Sequence, residues 1–173
     1  HACEKAGRNS MEVQLLLATK TVPTEKIKIA IESGERLIGE NKVQELRDKF
    51  EALKPIPHKT HFIGHLQTNK VKDVLKYADC IQTVDRMALV EKLDQRLQQE
   101  GRSLDIMLQV NTSYEESKFG ADPLNIIAFA KQVSQYDTLK VKGLMTIGLF
   151  SAEEQKVRKC FQLLKKINTE IKD

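Results

Sequence analysis

The chain predicts an α/β fold built on a parallel sheet. Two observations carry that expectation: six short apolar runs of β-forming character alternate with six longer segments of helical spacing, and no long linker or low-complexity stretch interrupts the series. Such alternation argues for parallel strands joined by right-handed crossovers. At 173 residues the chain is long enough for one domain with a substantial core and too short for two typical ones, so residues 1–173 are expected to form a single domain.

The first run, Val13, Gln14, Leu15, Leu16, Leu17, Ala18 and Thr19, reads as a buried strand at 13–19, and Pro23 with Thr24 opens a helix at 24–33. Further strands are expected at 36–39, 61–64, 79–84, 104–111 and 141–147, and further helices at 41–53, 69–77, 86–100, 123–136 and 152–171. In the helix at 86–100, Met87, Val90, Leu93 and Leu97 fall three and four apart while Glu91, Lys92, Asp94 and Arg96 cover the remainder, the pattern of a helix lying on a sheet. Thr24 and Asn41 are placed to cap helix N-termini, and Gly34 and Gly101 follow helices where a left-handed terminal residue is wanted. Six parallel strands fit either an open doubly wound layer or part of a closed barrel of eight βα units. The first strand runs into Lys20, Thr21, Val22 and Pro23 rather than a glycine-rich phosphate turn, which weighs against a dinucleotide-binding unit.

Composition narrows the function classes. The net charge of +4 is spread over 28 basic and 24 acidic residues without long like-charge blocks, and aromatics make up only 5%, so neither charge nor base stacking points to nucleic acid. No run reaches the 18 or more apolar residues of a membrane span, and 1–8 lacks a hydrophobic signal core; a cytoplasmic protein is expected. Cys3, Cys80 and Cys160 are odd in number and far apart, and are expected to be reduced and non-catalytic. His58, His61 and His65 lie close together, but no acidic partner completes a tetrahedral metal set. There is no Gly-x-Ser-x-Gly, Walker loop or HExxH.

Polar groups recur where the strands finish. Gly39, Glu40 and Asn41 end the second strand, Gly64, His65 and Gln67 the third, Asn111, Thr112 and Ser113 the fifth, and Met145, Thr146 and Gly148 the sixth. In parallel α/β folds ligands bind at the carboxyl ends of strands, so these groups share a rim with Lys20. A lysine on an apolar wall is placed where desolvation lowers an amine pKa, and a neutral amine attacks an aldehyde to form a Schiff base. Plainer roles stand beside these: Lys20 as a solvated strand flank, Asn41 as a cap, Asn111 as a turn residue, and Gly39 and Gly64 as tight exits. His65 reads as a pocket-lining ring. The 114–120 segment, with Glu115, Glu116 and Lys118, reads as an acid–base pair or as a positioning loop.

The ordered segments LLLATKTVP, IGENKVQE, HFIGHLQTNK, QVNTSYEESKFG and GLMTIG resemble, in sequence and spacing, the pyridoxal phosphate homeostasis proteins, also called the YggS or proline synthetase co-transcribed family. The resemblance covers 8–171, nearly the whole chain. It implies a (β/α)8 TIM-barrel type fold like the N-terminal domain of alanine racemase, here incomplete with about six βα units and truncated at both ends. It also implies pyridoxal 5′-phosphate (PLP) bound as a Schiff base on Lys20, with Asn41, His65, Asn111 and Met145 around the cofactor. His65 falls at the variable position of the family's FIG-x-LQ motif, and Met145 matches its GLM methionine. The family's later segments, which supply the last two strands and the phosphate contacts, have no counterpart before Asp173. Intracellular PLP homeostasis without established turnover is the implied role; a racemase-like enzyme and a cofactor-free interaction module are the alternatives. Unclosed barrel edges imply self-association.

Overall fold

The computed structural model describes residues 2–172. They form one wholly parallel six-stranded sheet in the order β1 to β6, built of Leu17–Ala18, Leu37–Glu40, Lys59–Phe62, Cys80–Val84, Leu104–Gln109 and Leu139–Met145. The helices are α1 (Ala2–Lys5), α2 (Thr24–Glu32), α3 (Val43–Leu53), α4 (Val71–Val74), α5 (Met87–Glu100), α6 (Ile126–Val133) and α7 (Glu154–Lys172). Strands in sequence order with a crossover helix between neighbours are the winding of a TIM-type barrel. Among the described residues β1 and β6 are both edges, so the barrel is not closed.

The core lies between the sheet and its helices. Ile81, Ile106 and Leu108 of the central strands meet Leu89, Leu93 and Leu97 of α5, all fully enclosed. A smaller cluster of Ile27, Ile31, Ile38 and Leu53 seats α2 and α3 on β2. Gly101 ends α5 with φ +61°, the left-handed residue the sequence asks for.

Several boundaries differ from expectation. The strand expected at 13–19 is paired only at Leu17 and Ala18, with Val13 and Leu15 largely exposed, because an edge strand has one neighbour to pair with and its inward face is open. The strand expected at 61–64 is Lys59–Phe62, and that expected at 141–147 is Leu139–Met145. The segment at 69–77 divides into a 3-10 turn, Thr68–Lys70, and the short α4. Thr24 is the first helical residue of α2 rather than its cap, a position taken by Pro23, and Lys42 rather than Asn41 occupies the cap of α3. No side-chain cap bond forms at either end. Among the described residues no helix is long and apolar enough to cross a membrane. All three cysteines are free, and burial pushes the Cys80 thiol up to about 12.

Candidate functional site

Inward-facing residues climb the first three strands in step. Ala18 pairs with Gly39 and Gly39 with His61, so the three share a layer; two residues further along each chain come Lys20, Asn41 and Ile63. The concave face they build encloses a cavity of about 600 Å³, lined by Lys20, Asn41, His61 and Ile63 on one side and by Gln82, Met107, Leu144 and Met145 on the other. Beneath it, a Cβ on Gly39 would lie 2.5 Å from Leu16 Cδ2 and 2.9 Å from Ile63 Cδ1, so these two apolar side chains of the lining reach over the Gly39 backbone and would have to move aside for a larger residue. Burial holds the His61 imidazole below its usual range, against the upward pull of Asp79. Gln82 Nε2 meets His61 Nδ1 at 2.7 Å, a hydrogen bond that fixes the orientation of the ring.

Lys20 occupies the second position of a tight turn. The Val22 N–H donates to Thr19 O at 3.0 Å, closing four residues, and Thr21 at the third position has φ +61°, the sign a type II turn demands there. A β-branched residue in that region is strained by about 1–2 kcal/mol. The Lys20 side chain is exposed, not walled in as the sequence reading expected, because the strand carrying it is an edge.

What holds the turn is polar. Thr19 is buried; its N–H donates to Gly39 O at 2.9 Å and its Oγ1 donates to Glu40 Oε1 at 2.6 Å. Lys49 Nζ donates to Thr19 O at 2.8 Å, Glu40 Oε1 at 2.6 Å and Glu45 Oε2 at 2.9 Å. The Glu45 carboxylate also accepts the Thr21 N–H at 2.8 Å. These three ionic side chains are 12%, 2% and 20% exposed for Lys49, Glu40 and Glu45. Desolvation pulls the Lys49 ammonium down, yet its hydrogen bonds and charge attraction to Glu40 and Glu45 outweigh it and the net direction is up. Glu45 is held below the usual carboxylate range, first by the Thr21 N–H and then by Lys49. Of these residues the sequence placed only Glu40 on the rim, as one of the polar groups that end the second strand; Glu45 and Lys49 did not stand out. The available signals were an acid and a lysine four apart on one helix, Glu45 and Lys49, and an acid, Glu40, closing an apolar strand.

The structure brings Lys20, Asn41 and Met145 together at one cavity and leaves His65 and Asn111 outside its lining. His65 borders a neighbouring cavity of about 340 Å³ between the ends of β2 and β3, which shares Asn41 with the first. Its ring stacks on Phe119, with centroids 3.7 Å apart and planes 16° from parallel. Asn111 ties its own loop, its Nδ2 donating to Glu115 O at 2.9 Å while its Oδ1 accepts from Ser113 Oγ at 3.1 Å. In the same loop Lys118 pairs with Glu115 and donates to Gly148 O at 2.9 Å, so the segment at 114–120 straps the end of β5 to the segment after β6. Gly64 locks the wall between the cavities, since a Cβ there would come within 2.0 Å of Asn41 O. Among the described residues no group of three or more His, Cys, Asp and Glu is arranged to hold a metal ion.

A parallel barrel-type sheet with a lysine turn at the carboxyl end of its first strand is the alanine racemase N-terminal domain class, and residues 17–173 match that domain's family model. Alanine racemase from Clostridium difficile has this fold, superposing with a TM-score of 0.79 at 9% identity over 92% of this chain and 43% of that one. Within the class, the chain belongs to the pyridoxal phosphate homeostasis proteins. It is 38% identical to the protein of that name from Aquifex aeolicus, over 98% of this chain and 75% of the relative. It is 39% identical to that from Pasteurella multocida, over 85% of this chain and 64% of the relative, and so spans about two thirds to three quarters of their length. PipY of Synechococcus elongatus, solved with PLP bound, superposes with a TM-score of 0.87 at 30% identity, over 99% of this chain and 80% of PipY.

Proposed function

We propose that the protein binds PLP at the Lys20 cavity and serves in its intracellular homeostasis, as a cytoplasmic protein. The observation that carries this reading is the primary amine of Lys20, presented by a rigid turn at the mouth of a cavity of about 600 Å³ in a chain whose relatives are named for pyridoxal phosphate. That volume lies in the range of small-cofactor pockets. The lining fits a flat, polar-edged ring: Leu16, Ile63, Leu144 and Met145 offer apolar faces, and Asn41 and Gln82 offer amides. Bound PLP supplies an aldehyde, which joins a primary amine through a C=N bond with loss of one water.

In this reading Lys20 provides that amine, Asn41 orients the ring edge, and Met145 packs on a face. His65 and Asn111 act one step removed, His65 by holding Phe119 and Asn111 by shaping the loop beneath it. Holding rather than turnover is favoured because, among the described residues, no tyrosine lines the cavity, and His61, the other titratable group there, lies one layer below Lys20 with its Nδ1 engaged by Gln82. A racemase needs a second proton carrier across the substrate.

Titration with PLP, followed by the near-visible absorbance of the conjugated C=N group, tests the reading. The band is expected for the parent and lost in Lys20→Ala; a band that persists in Lys20→Ala, or none in the parent, overturns it. Amino-acid-dependent turnover would replace holding with catalysis. The exposed edges of β1 and β6, with Val141, Ile147 and Phe150 open to solvent, support self-association; sedimentation as a folded monomer across the micromolar range would contradict it.

A further inference from the structure

We propose that Lys49 is a positioning residue for Lys20, fixing the turn that presents the Lys20 amine by clamping it from both sides. The inference rests on the PLP-binding reading for its functional meaning and on geometry for its substance. On one side of Lys20, the Lys49 ammonium holds Thr19 O at 2.8 Å, the same oxygen that closes the turn with the Val22 N–H. On the other, Lys49 holds Glu45 at 2.9 Å, and Glu45 in turn holds the Thr21 N–H at 2.8 Å. Glu40, at 2.6 Å, is a second carboxylate on the Lys49 ammonium, brought from β2, and its Oε1 also accepts from Thr19 Oγ1.

The turn has two bonds of its own, Val22 N–H to Thr19 O at 3.0 Å and Thr21 Oγ1 to Lys20 O at 2.6 Å, and the clamp adds three contacts from outside it. Thr21 holds φ +61° without being Gly or Asn, and strain of that kind persists only where the surroundings over-determine it. Among the described residues the strand leading into the turn pairs for two residues and Ala18, Lys20 and Thr21 are exposed, so the contacts seen to restrain the turn are these polar ones. Glu45 and Lys49 stand four apart on α3 and are themselves largely buried, so the helix acts as a rigid mount for two contacts that bracket Lys20. A reacting amine displaced by about 1 Å loses on the order of a hundredfold in reaction with a bound partner.

The test compares the parent with Lys49→Met, Glu45→Ala and Lys49→Met/Thr21→Gly, each confirmed folded by its thermal transition. Lys49→Met is expected to weaken PLP binding, read from the absorbance band, by about 10- to 100-fold. Glu45→Ala, which leaves the Lys49–Glu40 pair intact, is expected to shift it in the same direction by less and is the informative variant if Lys49→Met does not fold. Adding Thr21→Gly should recover part of the loss in PLP binding, measured on protein confirmed folded, because glycine adopts the positive φ unaided. In the cofactor-free protein, the Thr21 amide should exchange slowly with solvent deuterium and at least about tenfold faster in Lys49→Met, as an amide released from its bond does. Folded variants that keep parental PLP affinity and parental Thr21 protection overturn the proposal. A parent that binds no PLP refutes the functional reading alone, and the amide exchange then decides whether Lys49 holds the turn.

Discussion

The central strands and the first strand solve the same problem by opposite means. β4 and β5 are located by packing: Ile81, Ile106 and Leu108 are sealed beneath Leu89, Leu93 and Leu97, and any displacement would open a void. β1 pairs for two residues at an edge, and its position is set by Glu40, Glu45 and Lys49 gripping Thr19 and Thr21. Packing gives stability but covers the side chain it locates. An ionic clamp on the backbone fixes where Lys20 starts while, among the described residues, leaving its side chain uncovered.

The largest effect expected is in the packed half. Leu93→Ala should cost about 3–4 kcal/mol by denaturant unfolding while leaving PLP affinity of the folded fraction unchanged. Gly64→Ala tests the seam between the two kinds of region. With Asn41 O 2.0 Å from the new Cβ, the backbone must move, and a loss of about 2–3 kcal/mol together with weakened PLP binding is expected. A stability change without a binding change would separate Asn41 from the site.

The clamp should show its charge in a pH series. Glu45 has its folded pKa lowered, so its contribution is present above the unfolded value near 4.5 and lost as pH falls through the folded one. Lys49 has its folded pKa raised, so its contribution is complete below 10.5 and lost as pH climbs through the folded value. Glu45→Gln should flatten the acid limb of unfolding free energy against pH, and Leu93→Ala should lower the whole curve without reshaping it. The smallest effect is chemical: at pH 8, iodoacetamide should label Cys3 and leave Cys80 unmodified in the folded protein, because burial holds the Cys80 thiol at about 12. Peptide mapping reads the outcome.

The packed half was the legible half. Met87, Val90, Leu93 and Leu97 announce a helix on a sheet, and that helix ends at the expected Gly101. The edge was less legible, because hydrophobic composition alone marked 13–19 as a buried strand although its Val13 and Leu15 face solvent. Lys20, Asn41 and Met145 fell at strand ends on one rim, and strand order alone brings them to one cavity. His65 and Asn111 also lie at strand ends, but local partners claim them: Phe119 takes the His65 ring and the 113–118 loop takes the Asn111 amide. Those contacts depend on the path of a loop that no periodicity encodes. Glu40 was legible as a strand-end group, but Glu45 and Lys49 were not, because a charged residue in sequence reads as surface, and only the packing of α3 against β2 reveals the three as buried partners.

The central claim is that the exposed lysine of the clamped turn is the residue that takes PLP. Borohydride reduction of the protein–PLP mixture, followed by peptide mass mapping, tests it most directly. The account predicts a single phosphopyridoxyl modification on the peptide containing Lys20, absent in Lys20→Ala. Modification centred on another lysine, or spread over many with Lys20 no more reactive than the rest, would contradict it.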